Sequence, residues 1–347
     1  MGTQDGRVRL DAMPQDIRDV TIIGGGPTGL FGAFYAGVRQ VSCRIIDSLP
    51  ELGGQLTALY PEKDIFDVGG IYKILAKDLA RDLIKQGTQF GCDVVLEEEL
   101  RELTREGDVF RLKGRKGEYF SRTILIAGGK GAFEPRHLDV PGYQELLYQG
   151  VVYFVKDPDV YRDKRVIIVG GGDSALDWAL ILKDKCSALT LIHRREGFRA
   201  HEASVRALDE ARAAGRIDLH TFHEVRAIHG NGRVDGITIY DNRTEVDTRV
   251  DVDAVLCFLG FKPDLGPIKS WGLTLNKNRI VVNQLMETNI PGIYAAGDVV
   301  EYEGKLELIV TGFSEVTIAV NNAVHYLNPS ARVNPGHSTN LAIFKDK

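Results

Sequence analysis

Two glycine-rich turns constrain this chain more than anything else in it. Gly24-Gly-Gly-Pro-Thr-Gly29 follows the apolar run Asp19-Val-Thr-Ile-Ile23 and leads into the apolar stretch from Leu30 to Val38. The pattern recurs 146 positions on, where Arg165-Val-Ile-Ile-Val169 precedes Gly170-Gly-Gly-Asp-Ser-Ala175 and the helical stretch Leu176 to Lys183. A second strand follows each helix, Val41 to Ile46 and Ala188 to Ile192. Glycines between a strand and a helix let backbone approach a pyrophosphate, and the helix start adds free N–H groups and partial positive charge. The spacing is too long for a solenoid repeat and predicts two separate dinucleotide-binding units within 347 residues.

The segments between the units predict how they connect. Thr123-Ile-Leu-Ile-Ala127 runs into Gly128-Gly-Lys-Gly131, and Ala254-Val-Leu-Cys-Phe-Leu259 runs into Gly260. The expected fold class is α/β, with two Rossmann-like dinucleotide-binding domains and the second inserted into the first. The first would comprise 1–131 and 259–347, with 328–347 as a C-terminal tail, and the second 132–258. Composition agrees with such a globular chain: 44% hydrophobic and 26% charged residues exclude a disordered or fibrous one. A net charge of −5 gives no reason to expect nucleic acid or an anionic membrane as partner. Cys43, Cys92, Cys186 and Cys257 form no ligand-spaced pair, so neither a metal site nor a local dithiol is expected. The charged N-terminus and the lack of a long apolar run predict a soluble, cytoplasmic protein.

The two units differ where a ribose would be read. In the first, Gly24, Gly26 and Gly29 are followed by Asp47, 23 positions beyond Gly24, an acid placed to accept ribose hydroxyls. In the second, with Gly170, Gly172, Asp173, Ser174 and Ala175 in the turn, the same offset reaches His193, followed by Arg194 and Arg195 and then Arg199. Guanidinium groups grip a 2′-phosphate that a carboxylate would repel. Two unlike readers predict two cofactors, FAD held by the first unit and NADPH/NADP+ exchanged at the second. The chemistry would be hydride transfer between them.

With these motifs stand Gly53-Gly-Gln-Leu56, His193-Arg-Arg-Glu196 with Phe198-Arg-Ala200, and Ile293-Tyr-Ala-Ala-Gly-Asp298. Together they resemble the flavoprotein pyridine-nucleotide reductases of the low-molecular-weight thioredoxin reductase type, from Val20 to about His337. The chain departs from thioredoxin reductases at the thiol pair: Val151 to Asp157, upstream of the second turn, holds no cysteine, and none follows Gly53-Gly54. It is more similar to the thioredoxin-reductase-like ferredoxin–NADP+ reductases of bacteria, through Leu59 to Val68, Gly128 to Arg136, Leu259-Gly-Phe-Lys262, Thr311-Gly-Phe-Ser-Glu315 and a tail containing Pro335-Gly-His-Ser338.

That resemblance implies a homodimeric ferredoxin–NADP+ reductase that passes electrons between NADPH and ferredoxin or flavodoxin. It implies that Gln55 and Asp298 hold the flavin and its ribityl chain, that Thr28, Phe133 and Thr339 join the cofactor site, and that Tyr60 covers one face of the ring. His337 would cover the other face from the partner protomer's tail, with Ser338 or Thr339 nearest the reacting nitrogen. Tyr60, His337 and Ser338 are thus the expected catalytic group. The last helix, from about Phe313, would aim its N-terminus at the flavin. An oxidase, a disulfide reductase with a separate partner, or a nucleotide-binding redox sensor would use the same frame; the missing thiol pair counts against the disulfide reductase. Phe31, Phe34 and Tyr35, at helical spacing, are expected in the core.

Overall fold

The computed structural model describes residues 16–155 and 157–344, and for 132–135 and 261–263 the backbone alone. Its centre is β1 (Ile17–Ile23), whose β-branched second half is buried, as a strand covered on both faces requires. β1 pairs in parallel with β2 (Cys43–Ile46), and β2 with β3 (Asp93–Val95). On its other side β1 pairs in parallel with the end of an antiparallel meander, β4 (Leu100–Glu106), β5 (Val109–Gly114) and β6 (Glu118–Ile126).

β6 serves two neighbours in turn. Glu118 to Ser121 pair antiparallel with β5, whereas Ile124 to Ile126 pair in parallel with a strand from far along the chain, Ile293–Ala295. The C-terminal part of the chain therefore completes the first sheet. Helix α1 (Pro27–Val38) begins three residues earlier than the apolar run suggests, because Pro27 takes the first-turn position where a missing N–H costs nothing.

The second sheet is wholly parallel, in the order β7 (Val151–Val152), β14 (Ala254–Phe258), β8 (Arg165–Gly170), β9 (Ala188–His193) and β10 (Asp218–Thr221). Helix α2 (Asp173–Leu182) joins β8 to β9. An antiparallel sheet of β11 (His223–Gly230), β12 (Val234–Asp241) and β13 (Val246–Asp251) lies beside it. Separate buried clusters serve the first unit and the second, as two domains require. The chain passes between the units along two short strands, Ala132–Pro135 and Phe261–Asp264, which pair antiparallel with each other. At Gly131 a Cβ would stand 1.8 Å from the Asp264 carbonyl oxygen, so only glycine permits this crossing.

Helix α3 (Ile309–Leu327) starts four residues before the expected point and packs across α1. The approach is close because Gly32 and Gly312 lie at the crossing: a Cβ would fall 2.7 Å from Val316 Cγ2 at the first and 2.3 Å from Thr28 Oγ1 at the second. Phe31, Phe34 and Tyr35 are half-buried rather than core residues, and form an aromatic cluster with Phe90, Phe313 and Phe344. Among the described residues no helix is long and apolar enough to cross a membrane.

Candidate cofactor sites

The first turn is built with no room to spare. Gly24 has φ of 109°, and a Cβ on it would lie 2.4 Å from the Ala127 carbonyl oxygen. A Cβ on Gly29 would lie 1.9 Å from the Gly24 oxygen. Gly26 is the N-cap of α1 and contributes no side-chain cap, so the first-turn amides at Thr28 and Gly29 lack intrahelical acceptors and face the turn. That is the cradle a pyrophosphate requires.

Asp47 closes the cradle. Its Oδ2 accepts the Gly25 N–H at 2.5 Å and its Oδ1 the Leu49 N–H at 2.8 Å, while its own N–H donates to the Val95 carbonyl at 2.9 Å. Burial pushes its pKa up, and N–H donors from Leu49, Gly25 and Ser48 oppose that shift. The acid therefore ties β2 to the glycine turn, and each carboxylate oxygen keeps a lone pair that these two bonds do not use. Asp47→Ala is expected to weaken FAD retention by about tenfold or more through the loss of charged hydrogen bonds, read as flavin content after desalting; full retention would assign Asp47 to the turn alone.

Other expected residues converge on this turn. The Gly53 N–H donates to the Gly25 oxygen at 2.9 Å, and a Cβ on Gly54 would lie 2.8 Å from Gly26 Cα, so Gln55 is carried directly onto the turn. Gln55 Nε2 lies 3.5 Å from where a Cβ on Gly129 would stand, beside the unfilled space at Gly128. Thr28 Oγ1 is 3.0 Å from the Cβ position of Gly297, which brings the residue before Asp298 against α1. Tyr60 is half-buried, and its phenol is pushed up to about 12 by burial and by the nearby charges of Asp298 and Asp67. Asp298 is itself raised by burial, with Lys130 acting in the opposite direction. Gln55, Tyr60, Asp298 and Thr28 thus belong to one neighbourhood.

The tail does not join it within a single chain. Pro335, Gly336, His337, Ser338 and Leu341 share a cavity of about 240 Å³ with Phe34, Tyr35 and Val38, towards the far end of α1 from its glycine turn. Thr339 lies in the 3-10 turn Ser338–Asn340. Arg39 fastens the approach, donating to the carbonyls of Arg332 and Val333 at 2.8 and 3.0 Å. The Phe133 side chain lies outside the described residues.

The second turn is built alike but charged differently. A Cβ on Gly170 would lie 2.4 Å from the Phe258 oxygen, and Gly172 caps α2 without a side-chain bond. Ala175 is buried in the helix, Ser174 is exposed in its first turn, and Asp173 is occupied accepting the His201 N–H at 2.9 Å. The Arg199 N–H donates to Gly171 O at 2.8 Å, which holds the basic segment against the turn. His193 stacks on Phe198 with centroids 5.2 Å apart; burial lowers its pKa, and Arg194, Arg195 and Arg199 lower it further. Those three arginines are exposed, and among the described residues none makes an ion pair. Three unneutralised guanidinium groups beside a free helix start suit a phosphate monoester.

Three features escape sequence reasoning because they join distant residues. Lys63 Nζ lies 2.8 Å from Asp177 Oδ2, linking the segment after Gln55 to α2 of the other unit. The pairing of Arg44 with Asp93 places Cys43 and Cys92 at the starts of neighbouring strands, although they lie 49 positions apart in the chain. Both remain free thiols, and they lie at the end of β2 away from Asp47. The third gathers Gly297, Tyr302 and Lys305 around the buried carboxylate of Glu315.

The comparisons with known proteins agree with this geometry. The family described as pyridine nucleotide-disulphide oxidoreductase matches residues 5–323. A ferredoxin–NADP reductase of Thermus thermophilus is 50% identical over 95% of this chain and 99% of its own length. One from Halalkalibacterium halodurans is 49% identical over 94% and 98%. Among solved structures, thioredoxin reductase of T. acidophilum is similar with a TM-score of 0.77 at 25% identity, covering 91% of this chain and all of that one. Lactococcus lactis thioredoxin reductase gives 0.76 at 25% identity, covering 89% and 99%. Two strand–glycine–helix turns on two Rossmann-like sheets, matched along nearly the whole length, place the chain in the pyridine nucleotide-disulphide oxidoreductase family.

Proposed function

We propose that the protein is a ferredoxin–NADP+ reductase that moves electrons between NADPH and ferredoxin through FAD. The observation that carries this reading is the contrast between the two turns: a carboxylate tied into the first, and beside the second three exposed arginines without an ion pair among the described residues. The residues present fit both cofactors, since each turn has a glycine-only approach and an uncapped helix start. Bound FAD would supply the exchange between the two electrons of one hydride from nicotinamide and single electrons for an iron–sulphur partner.

The chain's own residues do the rest. Gly24, Gly26, Thr28, Gly29, Asp47, Gln55 and Asp298 would bind the pyrophosphate, ribose and ribityl groups, and Tyr60 would exclude water from one ring face. Gly170, Gly172, Asp173, Ser174, Ala175, His193, Arg194, Arg195 and Arg199 would orient NADPH. The proposed division is 1–131 with 259–347 for FAD and 132–258 for NADP(H), which follows the crossing strands at Ala132–Pro135 and Phe261–Asp264. Flavin released by denaturation should be FAD and not FMN; recovery of FMN from folded protein would overturn the assignment of the first turn.

Flavodoxin is a second acceptor of the same kind, and a cytoplasmic homodimer is the proposed working form. In that dimer His337, Ser338, Thr339 and the other tail residues would reach the partner's flavin. Their place in one chain supports this reading, because Pro335 to Ser338 line a cavity with Phe34, Tyr35 and Val38, in the half of α1 away from the glycine turn. Deletion from Asn334 should leave FAD bound and change both the rate of flavin reduction by NADPH and the reactivity with oxygen. Identical spectra and rates in stopped-flow mixing would exclude the tail from the site.

A further inference from the structure

Thr311-Gly-Phe-Ser-Glu315 carries part of the family resemblance and forms the opening turns of α3. Its last residue is the centre of a buried polar cluster. Glu315 lies in the second turn of α3 with a side chain 3% exposed, and Lys305 beside it is 2% exposed. Glu315 Oε2 accepts the Gly297 N–H at 2.7 Å. Its Oε1 accepts from Tyr302 Oη at 2.6 Å and from Lys305 Nζ at 2.5 Å. The turn between those two donors is shaped for this purpose: Gly304 has φ of 83° and the Lys305 N–H donates to Tyr302 O at 3.2 Å, which returns both side chains to one carboxylate oxygen.

We propose that Glu315 is a positioning residue for the cofactor, fixing the Gly297–Asp298 turn from α3 while Lys305 and Tyr302 hold its carboxylate in place. This rests on the reading that Asp298 holds FAD. Gly297 has φ of 86°, its N–H is held by Glu315, and on its other side Thr28 Oγ1 stands 3.0 Å from where a Cβ would lie, leaving room only for glycine. The Ala296–Gly297 peptide, one residue ahead of Asp298, is thereby set relative to α1, whose start forms the proposed pyrophosphate cradle. A buried ion pair adds little net stability compared with apolar side chains of similar volume, since desolvation offsets its attraction. A cluster kept at that cost serves geometry, and the group it orients is the one that leads directly into Asp298. Asp298 feels the surrounding charges, Lys130 and Lys305 on one side of the balance and Glu307 and Glu315 on the other.

The test compares two charge-neutral pairs, Glu315→Gln with Lys305→Met and Glu315→Met with Lys305→Met. The first keeps an oxygen for the Gly297 N–H and the second does not. FAD dissociation constants are read by flavin fluorescence, and melting of the apoproteins is followed alongside. The expected result, measured well below the melting temperature of either apoprotein, is FAD bound about tenfold more weakly by the Met/Met pair than by the Gln/Met pair, the order of one buried hydrogen bond. Equal affinities would overturn the proposal. A second readout needs no variant: the Gly297 amide in the holoenzyme should exchange with deuterium as slowly as the buried β6 core, and exchange at loop rates would also overturn it. Asp298→Asn separates the two readings. If it leaves FAD affinity unchanged, the reading of Asp298 fails; if it weakens FAD while the two pairs bind alike, only the role of Glu315 fails.

Discussion

Gly29→Ala is expected to yield protein that cannot hold FAD. The added methyl would sit 1.9 Å from the Gly24 carbonyl oxygen and 3.3 Å from Ile22 Cγ2, and the first of these neighbours is backbone. No rotamer relieves a Cβ clash, so either the start of α1 or the glycine turn must move by more than an ångström. Either shift spoils the alignment of first-turn amides with a pyrophosphate, and contacts of this kind act together. The second turn shows that the effect is local. There Ala175 occupies the corresponding position, fully buried, with its Cβ 3.0 Å from where a Cβ on Gly170 would stand. The second turn is thus formed around an alanine and the first is not. Flavin content per chain, measured on protein whose far-ultraviolet circular dichroism is unchanged, checks the prediction; a full complement of FAD would contradict it.

The second large effect belongs to the arginines. Arg194→Ala or Arg195→Ala should raise the Michaelis constant for NADPH far more than that for NADH. A lost charge-assisted bond to a phosphate costs about 1.5–3 kcal/mol, about ten- to a hundredfold in affinity. Both side chains are exposed, and neither holds an ion pair among the described residues, so their removal leaves no buried charge unpartnered and little stability is lost. Steady-state kinetics with both nucleotides decide the matter. Equal losses would show that the arginines serve general nucleotide affinity and leave the 2′-phosphate unread.

The elements nearest these two turns were legible because their chemistry is local. A strand, a glycine turn and a helix are contiguous, and the proposed ribose readers follow at a constant offset, so Asp47 and the proposed His193 segment could be located by counting. The boundaries shifted where a local rule was outweighed. Pro27 pulled the start of α1 forward, and α3 begins at Ile309 because its early residues pack on α1 through Gly312. The division of β6 between β5 and Ile293–Ala295 is a matter of long-range pairing, as is the placing of Cys43 and Cys92 at the starts of neighbouring strands. No periodicity within a window reports either. The same limit hid the task of Glu315, whose partners lie 18, 13 and 10 positions before it and converge only once α3 has docked on α1. The tail was the hardest case, since its proposed work is on another copy of the chain while its own contacts run along α1.

The central claim is that electrons leave this protein for ferredoxin without a thiol relay. It is tested most directly by NADPH-dependent reduction of cytochrome c with the purified holoenzyme, with and without added ferredoxin, and with thioredoxin and oxygen as parallel acceptors. The account predicts a large stimulation by ferredoxin, saturating in ferredoxin concentration, and no turnover of thioredoxin disulfide. A rate indifferent to ferredoxin, or electron delivery to thioredoxin instead, would contradict it.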